Sequence, residues 1–179
     1  MRENKRYKAV ELDEQGNVIP GTDTILWHSR SMAVTCVIKT DKGNFLVEKR
    51  GPGCPDNIGK YVFPCGYLSW DETLKQAAIR EVYEETGLRL FEKNLEFLGI
   101  NDKVTENRQN VTVRFMAVVN EERLLQSLSD GTVNTDTKSR GGEDDECESL
   151  ELFSIDYIEK HADEFAFGHD ELAKVASNK

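Results

Sequence analysis

Apolar residues in this chain fall into short blocks whose spacing alternates between strand-like and helix-like. Residues 32–39 are rich in β-branched side chains (Val34, Thr35, Val37, Ile38), and residues 45–49 follow across an Asp41-Lys42-Gly43-Asn44 turn signal, which predicts a β-hairpin. Residues 7–12 and 18–19, either side of Glu14-Gln15-Gly16-Asn17, predict a smaller N-terminal hairpin at 7–19. Residues 51–59 contain two prolines and three glycines and predict a loop.

Leu74, Ala77, Ala78 and Val82 recur at helical spacing, which predicts a helix over about 72–86 with Asp71 placed to cap it and Gly87 placed to end it. Further strands are expected at 60–64, 95–100, 110–119 and 149–153, and one or two helices within 156–176. Residues 125–146 are polar and turn-rich, which predicts a mobile loop. Interleaved strands and helices point to an α/β fold, a mixed sheet covered by helices, in a single domain over 1–179.

Charge narrows the chemistry. The formal net charge is −10, so the chain has no electrostatic reason to bind a nucleic acid polymer or an anionic membrane. No apolar run approaches the roughly 18 residues of a membrane span. The charged start leads into no signal-type stretch, which together with four cysteines lacking zinc-like spacing makes the cytoplasm the expected compartment and reduced thiols the expected state.

The chemistry concentrates in residues 66–88. Glu81, Glu84 and Glu85 stand at i, i+3 and i+4, so one helical face presents all three. Like charges at that spacing repel, and a divalent cation with oxygen ligands would remove the penalty. Arg80 lies beside them and is placed to hold a carboxylate such as Glu72 through a bidentate pair. A Glu-rich helix face alone is more often simply solvated.

The wider pattern changes that balance. Gly66, Glu72, Arg80, Glu81, Val82, Glu84, Glu85, Gly87 and Leu88 match every specified position of Gly-x5-Glu-x7-Arg-Glu-U-x-Glu-Glu-x-Gly-U, where U is aliphatic. At average residue frequencies the chance of this at one start position is on the order of 10⁻⁹. The stretch therefore resembles the Nudix box. That resemblance implies an α/β/α sandwich with a mixed β-sheet between helices, dependence on Mg²⁺ or Mn²⁺, and hydrolysis of a diphosphate bond in a small-molecule nucleoside diphosphate derivative. It implies metal ligation by Glu81 and Glu85, an assisting role for Glu84 as ligand or base, support from the Glu72–Arg80 pair, and a further metal contact from the Cys65 carbonyl. It also implies that the chain can pair as a homodimer.

The chemistry requires a proton acceptor. Metal ions neutralise an anionic diphosphate and activate water, and a carboxylate takes the proton as water attacks phosphorus. The resemblance leaves open whether that base is in the box or on a later loop. Glu143, Asp144, Asp145, Glu146 and Glu148 are candidates, with Glu146 preferred, against the plainer reading of each as a solvated acid. Arg50 is a candidate phosphate contact, against the reading of a surface cation. Trp27, Phe63 and Tyr67 are candidates to stack on a base, against ordinary packing.

Two rival functions remain. Cys65 stands where the commonest box has glycine, and isopentenyl-diphosphate isomerases carry a catalytic cysteine there. Those enzymes use several histidines and a degraded box, whereas this chain has three histidines, an intact box, and Tyr67 where they have histidine. The other rival is a non-catalytic Nudix-like nucleotide-binding module, which would usually have lost box carboxylates. Substrate markers are weak: no proline follows Pro64, and no tyrosine lies between Tyr83 and Tyr157. Both absences count against the usual ADP-ribose and dinucleoside-polyphosphate patterns.

Overall fold

Strand β3 (Ser31–Thr40) alternates its side chains between two cores. Val34, Cys36 and Ile38 enter one, and Val37 enters the other. Strand β4 (Phe45–Arg50) does the same, with Leu46 on the first side and Phe45 and Val47 on the second. A sheet apolar on both faces needs helices on both, and it has them. Helices α1 (Leu74–Thr86) and α2 (Glu121–Ser129) cover the first face through Ala77, Ala78, Val82 and Leu124. Helices α3 (Ile155–Lys160) and α4 (His169–Ser177) cover the second through Ile158, Leu172, Ala173 and Ala176. These elements come from a computed structural model describing residues 5–22, 24–28, 30–103 and 110–179.

The sheet's topology makes the site possible. β3 and β4 pair only near their turn, at Ile38↔Leu46 and Lys39↔Phe45, and then part. The gap is filled by two short strands, β5 (Tyr61–Val62) on β4 and β6 (Cys65–Tyr67) on β3. Cys36 N–H donates to the Pro64 carbonyl at 2.9 Å, so the wedge keeps its backbone bonds. β9 (Cys147–Phe153) pairs the other edge of β4, while β8 (Asn110–Val119) lies beside β3 and β7 (Glu96–Asn101) beside β8.

Several boundaries differ from the sequence expectation. Thr73, not Asp71, caps α1: its hydroxyl accepts from Gln76 N–H while the Gln76 side chain accepts from Thr73 N–H. Glu72 therefore precedes the helix. Residues 125–146 are not an open loop throughout, because α2 runs to Ser129 and a 3₁₀ turn occupies Lys138–Arg140. Leu124 and Leu128, one helical turn apart on the first core, carried that signal beneath a polar composition.

The chain divides into two compact units, Met1–Ser31 and Met32–Lys179. In the first, β1 (Lys5–Ala9) pairs β2 (Thr24–His28), with a bridge Leu12↔Val18 around the turn at Asp13–Asn17. The turn is where the sequence placed it, but the partner strand lies beyond Val18–Ile19. The Trp27 side chain lies outside the described residues. Among the described residues no helix is long and apolar enough to cross a membrane.

Ile158 is fully buried and ties α3 to the second core. Ile158→Ala is expected to lower unfolding free energy by about 2–5 kcal/mol, measured by urea denaturation, because the cavity left in a packed layer closes only in part.

Candidate active site

The box helix turns Glu81 and Glu85 inward and leaves Glu84 half-buried. Glu85 Oε2 accepts the Cys65 backbone N–H at 2.9 Å, which fixes the helix against β6. The Glu81 carboxylate lies directly on Gly66, where any side chain would overlap it. The box glycine thus leaves room for the Glu81 carboxylate, which a side chain there would push aside. Gly87 ends α1 at φ 78°, a left-handed conformation that glycine takes without strain.

Arg80 holds the outer carboxylates in place. Its Nε and Nη2 donate to Glu72 at 2.9 and 2.7 Å, the bidentate pair expected from the sequence. Its Nη1 donates to Glu81 and Glu84 at 2.8 and 2.9 Å, and Nη2 also reaches the Tyr67 carbonyl at 3.0 Å. Hydrogen bonds from Arg80 hold Glu72 below the usual carboxylate range. Arg80 therefore sets the orientation of three carboxylates at once.

Burial acts in the other direction deeper in. Desolvation raises Glu81 to about 7, against the pull of Arg80, with Glu84 and Glu146 adding repulsion. Glu85 stands well above the carboxylate range through burial, then through Glu48 and Glu81. Glu48, on β4, is likewise raised by burial. The sequence reading missed Glu48; the signal was an acid inside an apolar strand between Val47 and Lys49.

The acidic loop reaches the same place because a glycine loop holds it. Gly51 N–H donates to the Glu146 carbonyl at 2.6 Å and Gly53 N–H to the Asp145 carbonyl at 2.9 Å. Side chains at either glycine would collide with that backbone. Cys54 Sγ–H also donates to the Glu146 carbonyl, at 3.2 Å. Arg140 donates to the Glu84 carbonyl at 3.1 Å, a cation at the last turn of α1. Four of the five loop acids then separate. Asp144 pairs with Lys138, and Glu148 with Lys49 at 2.8 Å. Glu143 and Glu146 line the cavity, and Glu146 accepts Glu143 N–H at 2.9 Å.

That cavity has a volume of about 830 Å³, in the range of small-molecule sites. Its wall includes Glu48, Arg50, Glu81, Glu84, Glu85 and Glu146, with Tyr67 and Arg114. Arg50 is not a surface cation: it is 8% exposed, pairs with Asp56 at 3.1 Å and lies 5.2 Å from the Phe167 ring centre. Phe63 is excluded from stacking on a ligand. It is fully buried in the second core, with His169 Nδ1 accepting its backbone N–H at 2.9 Å. Tyr67 remains available, at 60% exposed. Burial, then Glu85 and Glu48, push the Cys65 thiol well above its ordinary range, which makes it a poor nucleophile.

The residues present suit a hard divalent cation. The donors on the cavity wall are carboxylate oxygens, and Glu48 Oε2 is buried with no hydrogen-bond partner. Among the described residues no three acidic, cysteine or histidine side chains stand together as a finished cage, and Arg80 pairs with Glu81 and Glu84.

An α/β/α sandwich whose parted strands admit a carboxylate-lined cavity is the architecture of the Nudix fold. The NUDIX domain model matches residues 29–174. The chain belongs to the Nudix family of hydrolases. Solved structures share the fold. A mutT/nudix family protein from Listeria innocua is 23% identical over 84% of this chain and 93% of that one, with TM-score 0.62. The NUDIX domain of Shewanella oneidensis NrtR, complexed with ADP ribose, is 18% identical over 84% and 88%, with TM-score 0.61. A bifunctional NMN adenylyltransferase/ADP ribose pyrophosphatase from Francisella tularensis, complexed with AMP and a Mn ion, is 16% identical over 82% and 40%, with TM-score 0.59.

The raised Glu81 makes a pH prediction for the metal-free protein. Folded Glu81 keeps its proton to about pH 7 while the unfolded group loses it near 4.5. Its contribution is therefore fully present below about 4.5 and lost as pH rises through about 7. In EDTA, Glu81→Gln is expected to gain stability relative to wild type between about pH 5 and pH 8, read as a widening Tm difference. A constant difference would contradict the burial argument.

Proposed function

We propose that this protein hydrolyses a diphosphate bond in a small-molecule nucleoside diphosphate derivative with Mg²⁺ or Mn²⁺ bound among Glu81, Glu85 and Glu84 and the Cys65 carbonyl. The observation that carries this is convergence: the box residues Glu81, Glu84 and Glu85, Glu146 from a distant loop, and the arginines Arg50 and Arg114 all line one cavity. A bound divalent ion supplies charge neutralisation of the diphosphate and a more acidic water. The chain's own groups do the rest. Glu146 is the proton acceptor, positioned by the glycine clamp on its backbone. Arg50, held by Asp56, receives phosphate oxygens at the far wall. Tyr67 offers an exposed ring at the rim for a base. Arg80 and Glu72 position rather than react.

ADP ribose in the Shewanella domain and AMP with manganese in the Francisella enzyme support a nucleotide-type ligand. The net charge of −10 argues against a nucleic acid polymer or membrane as substrate, and four unpaired cysteines suit the reducing cytoplasm. The intact carboxylate set favours catalysis over binding alone.

The test is phosphate or nucleotide release from a panel of nucleotides, nucleotide sugars and ADP-ribose. Activity is expected with Mg²⁺, lost in EDTA, and reduced roughly 10²-fold or more in kcat/KM by Glu85→Gln. Turnover that survives both treatments would overturn the reading, as would tight nucleotide binding without turnover on any panel member.

For the loop, Glu146→Gln alone is expected to match the loss caused by neutralising Glu143, Asp144, Asp145, Glu146 and Glu148 together. Asp144 and Glu148 are already paired with lysines away from the cavity. Near-normal kcat in the five-fold variant would remove the loop from the chemistry.

A further inference from the structure

Glu48 belongs neither to the box nor to the acidic loop. It follows Leu46 by two positions on β4, so it shares the face that Leu46 turns toward α1. Its cross-strand neighbours are Val62 and Leu150, both apolar. The residue is 3% exposed, and its Oε2 is buried with no hydrogen-bond partner. Glu81, Glu85 and Glu146 all act on it electrostatically or are acted on by it, and each is acidic. The arginine within reach, Arg50, is engaged by Asp56 through both side chain and backbone, at 3.1 and 3.0 Å.

A carboxylate in this position is costly for the fold. Leucine or valine would extend the core beside Leu46, whereas an ionised group here is almost wholly withdrawn from water, has no donor on Oε2, and shares the attraction of Arg50 with Asp56. Nothing in the packing of β4 calls for it. The cavity does: Glu48 stands on the sheet side, opposite the inward-facing carboxylates of α1 and beside the loop that bears Glu146.

We propose that Glu48 is a ligand of a divalent cation held between β4, α1 and the acidic loop, contributing Oε2 opposite Glu81 and Glu85. A cation there gives the orphaned oxygen its partner and converts mutual repulsion among the carboxylates into shared attraction. The sheet then takes part in the metal site directly, and the parting of β3 and β4 is what lets the side chain reach it. This inference rests on the metal-dependent reading above.

The test compares wild type and Glu48→Gln, an uncharged side chain of the same size. Mn²⁺ binding to the metal-stripped proteins is followed by the electron paramagnetic resonance signal of free Mn²⁺, with Tm measured in parallel. The expected result is Mn²⁺ affinity weakened roughly tenfold or more, or one site lost. The metal-free variant should melt at or above wild type, and its Tm should rise less on adding Mn²⁺. Affinity and stoichiometry within about twofold of wild type would overturn the assignment while leaving the metal-dependent reading intact. Absence of Mn²⁺ binding by wild type would overturn both. Should Glu48→Gln not fold, anomalous scattering from Mn²⁺-soaked wild-type crystals decides. A peak within about 2.6 Å of a Glu48 oxygen supports ligation, and a peak farther away overturns it.

Discussion

Crowding of buried carboxylates is the constraint around which this protein is organised. Glu48, Glu81 and Glu85 are all largely removed from water, and burial raises each of them. A fold gains nothing from such an arrangement in isolation. The crowding that makes the free site unfavourable is what the proposed divalent ion would offset. Arg80 limits the penalty by holding Glu72, Glu81 and Glu84, so the carboxylates are oriented before anything binds.

The rest of the architecture follows from placing those groups. The strands β3 and β4 must part to make room, and β5 and β6 fill the gap with backbone hydrogen bonds that keep the opening rigid. Gly66 leaves open the space that the Glu81 carboxylate occupies. Gly51 and Gly53 bind the backbone of the acidic loop, which is how Glu146, far along the chain, is brought to the box helix. Two apolar cores, one on each face of the sheet, provide the stiffness against which these contacts are held.

Much of this was legible in the sequence, for identifiable reasons. The β3–β4 turn and the box helix are local patterns, set by alternation, helical spacing and a glycine stop. The Arg80–Glu72 pair was legible because its partners lie within one loop-helix unit. Misjudgements arose where composition masked periodicity or where packing decides. Helix α2 sits in a polar stretch, yet Leu124 and Leu128 bury one stripe of it. Of the two readings open for each, Phe63 took packing, in the second core, and Arg50 lies off the surface, paired with Asp56.

What the sequence by itself determined was which helix presents a cluster of carboxylates, since the spacing of Glu81, Glu84 and Glu85 places them on one face in any α-helix. The α/β class was also determined, because two periodicities alternate along the chain. Only the tertiary structure decided which other residues meet that helix. Glu48 and Glu146 come to it from a strand and a loop, and their meeting depends on how β3 and β4 separate and on a glycine loop gripping a distant backbone. Such contacts are set by packing between segments remote in sequence, and no local pattern carries them.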